Sequence, residues 1–201
     1  MRIEAAIFDI GNVLVPFDWQ VAEQQFRSRI GDKTKEARDK FFPLKERFEL
    51  GQIPPELFLS EAIRIIDFRG GPDEFTTIWN GIFSSNEVME ECIIRLRDSV
   101  PLYLLSNTSE LHLGFLKGRF QVLRHFVDGV YSCRVGCAKP DRKIFEIAMK
   151  QFAVTPSRTI YVDDLESNIQ SAAALGFHAI QYDWKRHSDF QQRLGELGLF
   201  S

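Results

Sequence analysis

Residues 5–19 read AAIFDIGNVLVPFDW, an apolar stretch that ends on an acid and continues through a glycine and an asparagine. The segment 3–8 carries the β-branched and aromatic side chains of a buried strand, with Glu4 as the one exception. The glycine and asparagine predict the end of that strand. Asp9 therefore stands at the mouth of a buried strand, where an acid either caps a helix or takes part in chemistry.

The composition is that of a globular chain. Its 201 residues, 44% hydrophobic and 26% charged, have room for one large domain or for a domain with an insert. The net charge of −3 predicts no nucleic-acid partner, because binding a phosphate backbone needs a clustered basic surface. No apolar run approaches the roughly 18 residues that span a bilayer, and the first residues do not read as a signal peptide, so we expect a cytoplasmic protein without a membrane partner. The oligomeric state stays open.

The cysteines give no sign of a disulfide framework. Cys92, Cys133 and Cys137 are odd in number and lie in apolar or strand-like surroundings. No second ligand pair completes a zinc site around them. We expect buried, inert thiols.

The periodicity of apolar residues changes along the chain. Residues 18–96 show helical spacing in WQVAEQQFRSRI, KEARDKFFPLKERFELG, PPELFLSEAIRII and EVMEECIIRLRDS, with a break at RGGPDE. From Pro101 onward the short apolar runs LYLLS, GVYS, TIYVDD and HAIQY alternate with helical segments. This alternation predicts a doubly wound α/β fold with a parallel, Rossmann-like sheet. We assign residues 1–15 and 97–201 to that core and 16–96 to an inserted helical cap.

Polar residues follow most of the predicted strands, at the sheet edge where doubly wound folds bind ligands. In chain order these residues are Asp9, Ser106, Asn107, Thr108, Asp163 and Asp164, with Asn168 behind the last two and Lys139 ahead of a helix predicted to start at Pro140. Taken singly, each has a structural explanation as a helix cap, a turn or a solvated loop residue. Their occurrence in order at successive strand ends favours a functional site.

The charge of this constellation points to a metal and an anion. Like-charged carboxylates about 4 Å apart repel by on the order of 4 kcal/mol per pair, so three of them need a cation. Carboxylate and carbonyl oxygens suit Mg²⁺ better than zinc. Lys139, with donors from Ser106 and Asn107, makes an adjoining site for an anion such as phosphate. Together these groups suggest phosphoryl transfer through an aspartyl-phosphate.

The same residues resemble the motifs of the haloacid dehalogenase superfamily. FDIGNVLV looks like its first motif, LLSNTS its second, CAKPDRKIF its third and YVDDLESN its fourth, in the family order. The segment FELGQIPPELF is similar to the helical cap of the branch that contains small-molecule phosphatases and the phosphatase domain of soluble epoxide hydrolases. The resemblance implies a phosphatase for a small phosphorylated metabolite, with sugar phosphates as one candidate class.

The resemblance also implies roles for individual residues. Asp9 would be the nucleophile, and Ser106 and Lys139 would bind the transferred phosphoryl group, with Asn107 assisting. The implied Mg²⁺ ligands are Asp9, the backbone carbonyl of Gly11, Asp164 and, in a helping role, Asp163. Asn168 would support the loop and not contact the metal.

One position departs from the family pattern. Most phosphatases of the superfamily carry a second Asp two residues after the nucleophile as general acid and base, and this chain has Gly11. Such help is worth about 10²–10⁴ in rate. Asp18 could replace it or could cap the helix starting at Trp19; otherwise the substrate has a good leaving group or the enzyme is weak. Because chains with a DxGN opening resemble working sugar-phosphate phosphatases, we favour activity.

Two other functions compete with the phosphatase. A 2-haloacid dehalogenase would use the same Asp9 without metal, which the acid pair at Asp163 and Asp164 argues against. A catalytically weak phosphate-binding module is supported by Gly11 alone. The cap should close over the site and set specificity, and the candidates to line it are Phe17, Trp19, Phe42 and Arg47.

Overall fold

A computed structural model of the protein describes residues 2–30 and 34–200. Its centre is a five-stranded parallel sheet of order β3-β2-β1-β4-β5, which confirms the predicted fold class. The strands are β1 Ala5–Phe8, β2 Leu102–Ser106, β3 Asp128–Tyr131, β4 Thr159–Asp163 and β5 His178–Gln181. β1 is therefore the central strand, and its two neighbours are β2 and β4.

The first strand begins two residues later than predicted. Its neighbours decide where it starts, because β4 pairs from Ala5 onward and β2 from Ala6 onward. Glu4 still donates its backbone N–H to the Arg158 carbonyl, and its exposed carboxylate pairs with the guanidinium of the same residue. The buried part of the prediction is confirmed, since all four residues of β1 are buried.

In the carboxyl-terminal half of the chain, helices alternate with the strands, as predicted. They are α6 Glu110–Arg119, α7 Ser132–Val135, α8 Arg142–Phe152, α9 Glu166–Ala174 and α10 His187–Glu196. The predicted helix start at Pro140 is wrong by two residues. α8 begins at Arg142, because Asp141 caps it by accepting a hydrogen bond from the Lys143 N–H with its side chain.

Within the described ranges, five helices separate β1 from β2. They are α1 Trp19–Arg27, α2 Thr34–Glu49, α3 Pro55–Ile65, α4 Pro72–Asn80 and α5 Glu87–Leu96. The sequence reading missed α4, whose first residues belong to the predicted break RGGPDE. Proline suits the first turn of a helix, and burial of Phe75, Ile78 and Trp79 outweighs the weak helix propensity of the two threonines between them.

The helices of this block divide between two apolar cores. α1 to α4 supply most of one core, centred on Phe58, Phe75 and Trp79. α5 instead packs Met89 and Ile93 with the side chains of the sheet. The cap at 16–96 remains a proposal, and packing favours a boundary ahead of α5. Residues 31–33 of that range lie outside the described part of the chain.

Two smaller expectations concern the membrane and the cysteines. Among the described residues, every helix is too short or too polar to cross a bilayer. Cys92, Cys133 and Cys137 are buried free thiols, as predicted. Burial raises the pKa of Cys92 to about 11 and that of Cys133 to about 12, so both stay protonated near neutral pH.

Candidate active site

Three neighbouring strands bring the predicted polar residues to one edge of the sheet. Asp9 follows β1 directly and continues its ladder, donating its N–H to the Val162 carbonyl of β4 at 2.9 Å. Ser106 ends β2 and Asp163 ends β4, on either side of β1. All three side chains are buried. The parallel register therefore assembles the residues that the sequence placed at separate strand ends.

Lys139 lies at the centre of this group. Its Nζ is 2.9 Å from Asp9 Oδ1 and 2.6 Å from Asp163 Oδ2, and its side chain is only 1% exposed. Burial alone would lower the pKa of this lysine, but the two carboxylates outweigh it and hold the pKa above its usual value. The ammonium is therefore charged and bridges two acids, and it is not a solvated loop residue.

Asn107 holds the backbone of Lys139. Its Nδ2 donates to the Lys139 carbonyl at 2.9 Å, and its Oδ1 accepts from the Lys139 N–H at 2.8 Å. Both ends of the side-chain amide are thus engaged by one residue of the loop after α7. Ser106 and Asn107 do not cap the following helix, because Ser109 caps α6 through the His112 N–H.

Asp163 is surrounded by protein donors. Its Oδ2 accepts from Lys139 and Tyr161, and its Oδ1 accepts from the Leu165 N–H at 3.0 Å and from Asn168 Nδ2 at 2.9 Å. Burial would raise the pKa of this acid, but Lys139 and the other donors hold it below its usual value. Four donors bind the two oxygens of the Asp163 carboxylate. In this arrangement the carboxylate serves mainly to hold Lys139. Asn168 supports the loop, as the sequence suggested.

Asp9 and Asp164 have more freedom. Asp9 Oδ1 is buried without a hydrogen bond, since its contact with Lys139 is an ion pair of poor hydrogen-bond geometry. Burial raises the pKa of Asp9 to about 6, although Lys139 and the Ser106 hydroxyl act in the opposite direction. Burial also raises the pKa of Asp164. In both acids the effect of burial on the pKa outweighs that of the favourable contacts.

The donor set fits a magnesium ion. Asp9, Asp163 and Asp164 each offer one oxygen within 4.8 Å of the others. Three carboxylates with one lysine leave an excess of negative charge, which a divalent cation with oxygen preference would balance. The hydrogen bonds of the turn after β1 run through Ile10, Asn12 and Val15, and within the described ranges the Gly11 carbonyl has no backbone donor. That carbonyl is thus available as a further hard oxygen.

The position of the missing acid is filled by an aromatic ring. A Cβ added to Gly11 would lie 2.8 Å from Phe17 Cε1, closer than carbon atoms approach. Phe17 is held by edge-to-face contacts with Trp19 and Phe83. Asp18, the proposed substitute, is exposed and caps α1 by accepting from the Gln20 N–H at 2.8 Å. Its predicted capping role is confirmed, whereas its role as a proton donor stays a prediction.

A cavity of about 580 Å³ lies between α1 and α2 of the helical block. Two of the four residues predicted to set specificity, Trp19 and Phe42, line it. Phe17 instead lies against position 11, where an added Cβ would be 2.8 Å from its ring, and Arg47 lies elsewhere on α2. The walls are largely apolar, with Phe26, Phe41 and Trp79 among them.

Three residues at or next to this edge, Asn12, Ser132 and Tyr161, were not identified as site residues from the sequence. Ser132 accepts from the Thr108 N–H and reaches the Glu49 carbonyl at 2.7 Å, so it joins the sheet edge to α2. Tyr161 donates to Asp163 from two residues away on the same strand. The alternation of a strand places residues 161 and 163 on one face, which is the signal that could have identified Tyr161.

The parallel sheet order and the carboxylates around a buried lysine define an α/β protein with an acidic site at the carboxyl ends of its strands. The profile of the haloacid dehalogenase-like hydrolases matches residues 3–176. The chain belongs to that family.

Several characterised proteins are similar to this chain. A D-ribitol-5-phosphate phosphatase of Bacteroides thetaiotaomicron is 29% identical over 198 residues, which cover 92% of this chain and 96% of the relative. A sesquiterpene phosphatase of Aspergillus oryzae is 27% identical over 180 residues, 86% of each chain. A solved HAD family enzyme of B. thetaiotaomicron, in complex with magnesium and inorganic phosphate, superposes with a TM-score of 0.80 at 23% identity, over 92% of this chain and 98% of that one. This likeness confirms the Rossmann-like fold.

Proposed function

We propose that this hydrolase is a Mg²⁺-dependent phosphatase that cleaves a small phosphorylated metabolite through an aspartyl-phosphate intermediate. The observation that carries the proposal is the buried Lys139 ammonium, held 2.9 Å from Asp9 and 2.6 Å from Asp163 beside Ser106. A cation fixed next to a buried carboxylate can draw the dianionic phosphoryl group of a substrate to that carboxylate.

In the proposed reaction, a carboxylate oxygen of Asp9 attacks the phosphorus atom of the monoester. The bond from phosphorus to the leaving alkoxide breaks, and the alkoxide takes a proton from water or from Asp18. Water then attacks the aspartyl-phosphate, which releases inorganic phosphate and restores the carboxylate. Lys139 and the Ser106 hydroxyl contact the phosphoryl oxygens and stabilise the charge that spreads over them.

The metal would be held by Asp9, Asp164 and the Gly11 carbonyl. When bound, Mg²⁺ neutralises charge on the acids and on the phosphoryl group. We assign Asp163 and Asn107 to positioning, because the first holds the Lys139 ammonium and the second holds its backbone. A direct part for Asp163 in metal binding would require one of its four donors to leave.

The leaving group sets the limit on the rate. With Gly11 under the Phe17 ring and Asp18 engaged as a cap, the alkoxide receives no proton from a carboxylate at position 11. We propose a substrate whose leaving group is activated, or protonation by Asp18 after it releases the helix. Without a general acid, turnover should depend strongly on the pKa of the leaving group, whereas protonation by Asp18 should make that dependence weaker.

The comparisons support the reaction class and leave the metabolite open. One relative is named for a sugar-alcohol phosphate and another for a sesquiterpene, two substrates of opposite polarity. The relatives named here do not favour the dehalogenase alternative, and both are phosphatases. The cytoplasmic location and the lack of a nucleic-acid partner stay predictions.

The test is a screen of phosphorylated metabolites with and without Mg²⁺, scored by release of inorganic phosphate. We expect metal-dependent release from at least one polyol or terpenoid monophosphate. Halide release from 2-chloropropionate without metal would favour the dehalogenase. Binding of phosphate without turnover of any ester would favour the catalytically weak phosphate-binding module.

A further inference from the structure

Asn12 adopts a backbone conformation that its neighbours in the turn do not share. Its φ is 53°, in the left-handed region that non-glycine residues seldom occupy. Glycine would serve the turn at no steric cost, and asparagine is among the few other residues that tolerate it. Glycine would satisfy the backbone conformation at this position, so the conformation alone does not explain why a side chain is present.

The side chain of Asn12 joins two parts of the site. Its Nδ2 donates to Asp164 Oδ2 at 3.1 Å, a contact between residues 152 positions apart. Its Oδ1 accepts from the Phe17 N–H at 3.3 Å. Asn12 thus contacts Asp164, the acid that follows β4, and, with its other end, the segment that places an aromatic ring against position 11.

The first of these contacts restricts Asp164. One of its oxygens is held by an amide donor, and among the described side chains only Asn12 donates to this carboxylate. A ligand carboxylate that is half-buried and held on one oxygen has fewer orientations to lose when it binds a metal. The donor is neutral, so it restrains Asp164 without competing for its charge as a lysine would.

We infer that Asn12 is a positioning residue for the divalent cation, acting through Asp164, and that it ties this acid to the segment carrying Phe17. The inference rests on the proposed metal role of Asp164. A purely structural role is the alternative, in which Asn12 is present only because it tolerates the turn.

Replacement of Asn12 by glycine separates the two roles. Asn12→Gly keeps the left-handed turn and removes both side-chain contacts, so the chain should fold. The matched control is Asp67→Gly, which makes the same change at a second left-handed position, φ 48°, in the helical block. The measurements, made on the full chain, are calorimetric titration with Mg²⁺ alone, titration with inorganic phosphate, and the melting temperature without metal.

We expect Asn12→Gly to raise the Mg²⁺ dissociation constant by about tenfold or more, because a metal-binding side chain loses its hydrogen-bond donor. Phosphate affinity and metal-free melting should change little, and Asp67→Gly should bind Mg²⁺ as the wild type does. A Mg²⁺ constant within twofold of wild type would overturn the inference while leaving the proposed function intact. Equal loss for Mg²⁺ and phosphate would indicate a collapsed site and also overturn it. Failure of the wild type to bind Mg²⁺ would overturn both.

Discussion

Lys139 Nζ and Asp163 Oδ2 lie 2.6 Å apart, in an ion pair whose side chains are 1% and 0% exposed. Burying two charges is costly, and the pair is tolerable because Tyr161, Asn168 and a backbone N–H satisfy the remaining positions of the carboxylate. The family resemblance gives Asp163 a helping role in metal binding. In this geometry Asp163 instead holds the lysine that we propose binds phosphate.

Removal of the Asp163 charge should therefore cost stability. Asp163→Asn leaves a buried ammonium with only Asp9 beside it, and we expect the free energy of unfolding to fall by about 3 kcal/mol. Urea unfolding of the variant and the wild type measures this difference in free energy. The control is Glu4→Gln, which breaks an exposed pair with Arg158 and should change stability by less than about 1 kcal/mol. Equal effects of the two variants would contradict a structural role for the buried pair.

The proposed nucleophile can be removed without changing its shape. Asp9→Asn should lower kcat by about a thousandfold or more on any accepted ester, because the amide oxygen does not attack phosphorus. Circular dichroism should show an unchanged fold. Beryllium fluoride, which mimics an aspartyl-phosphate, should raise the melting temperature of the wild type only. Turnover of the variant near the wild-type rate would exclude covalent catalysis through this residue.

Asp18 offers a test with two substitutions. Asparagine caps a helix as well as aspartate, so Asp18→Asn removes the acid and keeps the cap, whereas Asp18→Ala removes both and should cost about 1 kcal/mol. If Asp18 only caps, Asp18→Asn should leave kcat unchanged for alkyl phosphates and for p-nitrophenyl phosphate alike. A loss of about 10² for alkyl phosphates alone would identify Asp18 as the proton donor.

The Phe17 ring should make position 11 intolerant of a side chain. Gly11→Ala places its Cβ 2.8 Å from the ring, and we expect a loss of about 1–3 kcal/mol by urea unfolding. Combination with Phe17→Ala should recover part of that loss, which a double-mutant cycle detects. Gly114→Ala, at a helical position with open space, is the control and should not destabilise. Additive effects would mean that the ring moves aside freely.

The contact between the Phe17 ring and position 11 also affects a variant in which the usual acid of the family is restored at that position. In Gly11→Asp, the new side chain should clash with the Phe17 ring. This variant alone should therefore gain no activity on alkyl phosphates. In the Phe17→Ala background, the added carboxylate should raise kcat on poor leaving groups more than on p-nitrophenyl phosphate. Equal responses of both esters would show that the new acid does not reach the leaving oxygen.

His112 should make stability depend on pH. It stacks on Trp79 at 4.9 Å, its Nε2 lies 3.1 Å from the Trp79 carbonyl, and burial lowers its pKa to about 4, with Lys45 adding to the effect. The unfolded chain takes up the proton near pH 6.5, before the folded chain does. The free energy of unfolding should therefore fall by roughly 3 kcal/mol as the pH drops from about 6.5 to 4, and level off below.

The measurement is the difference in urea stability between wild type and His112→Gln across that range. Glutamine keeps a donor for the Trp79 carbonyl and does not titrate, so the slope due to His112 should disappear from the variant. The difference removes the contribution of the acids near Asp9, which titrate in both proteins. His178→Gln is the control. A parallel pH profile of His112→Gln and wild type would rule out this histidine as the source.

Much of the architecture was predictable because it depends on local patterns. Strand runs of β-branched and aromatic residues, and their alternation with helices, indicate a parallel sheet without knowledge of any contact. The site residues Asp9, Ser106 and Asp163 could be placed together for the same reason, since parallel strands end at one edge. The helix α4 was missed because burial of Trp79 and its neighbours, not local propensity, stabilises it.

The fold class, the sheet edge of the candidate site and the residue types found there follow from periodicity and chain order, which can be read along the chain. The contacts between these groups follow from the packing of the folded chain. Lys139 bridges two acids, Asn12 reaches Asp164, and Phe17 covers Gly11 through contacts that side-chain packing selects. Such pairings depend on distances of a few ångströms between segments that can lie more than a hundred residues apart, and no spacing along the chain encodes them.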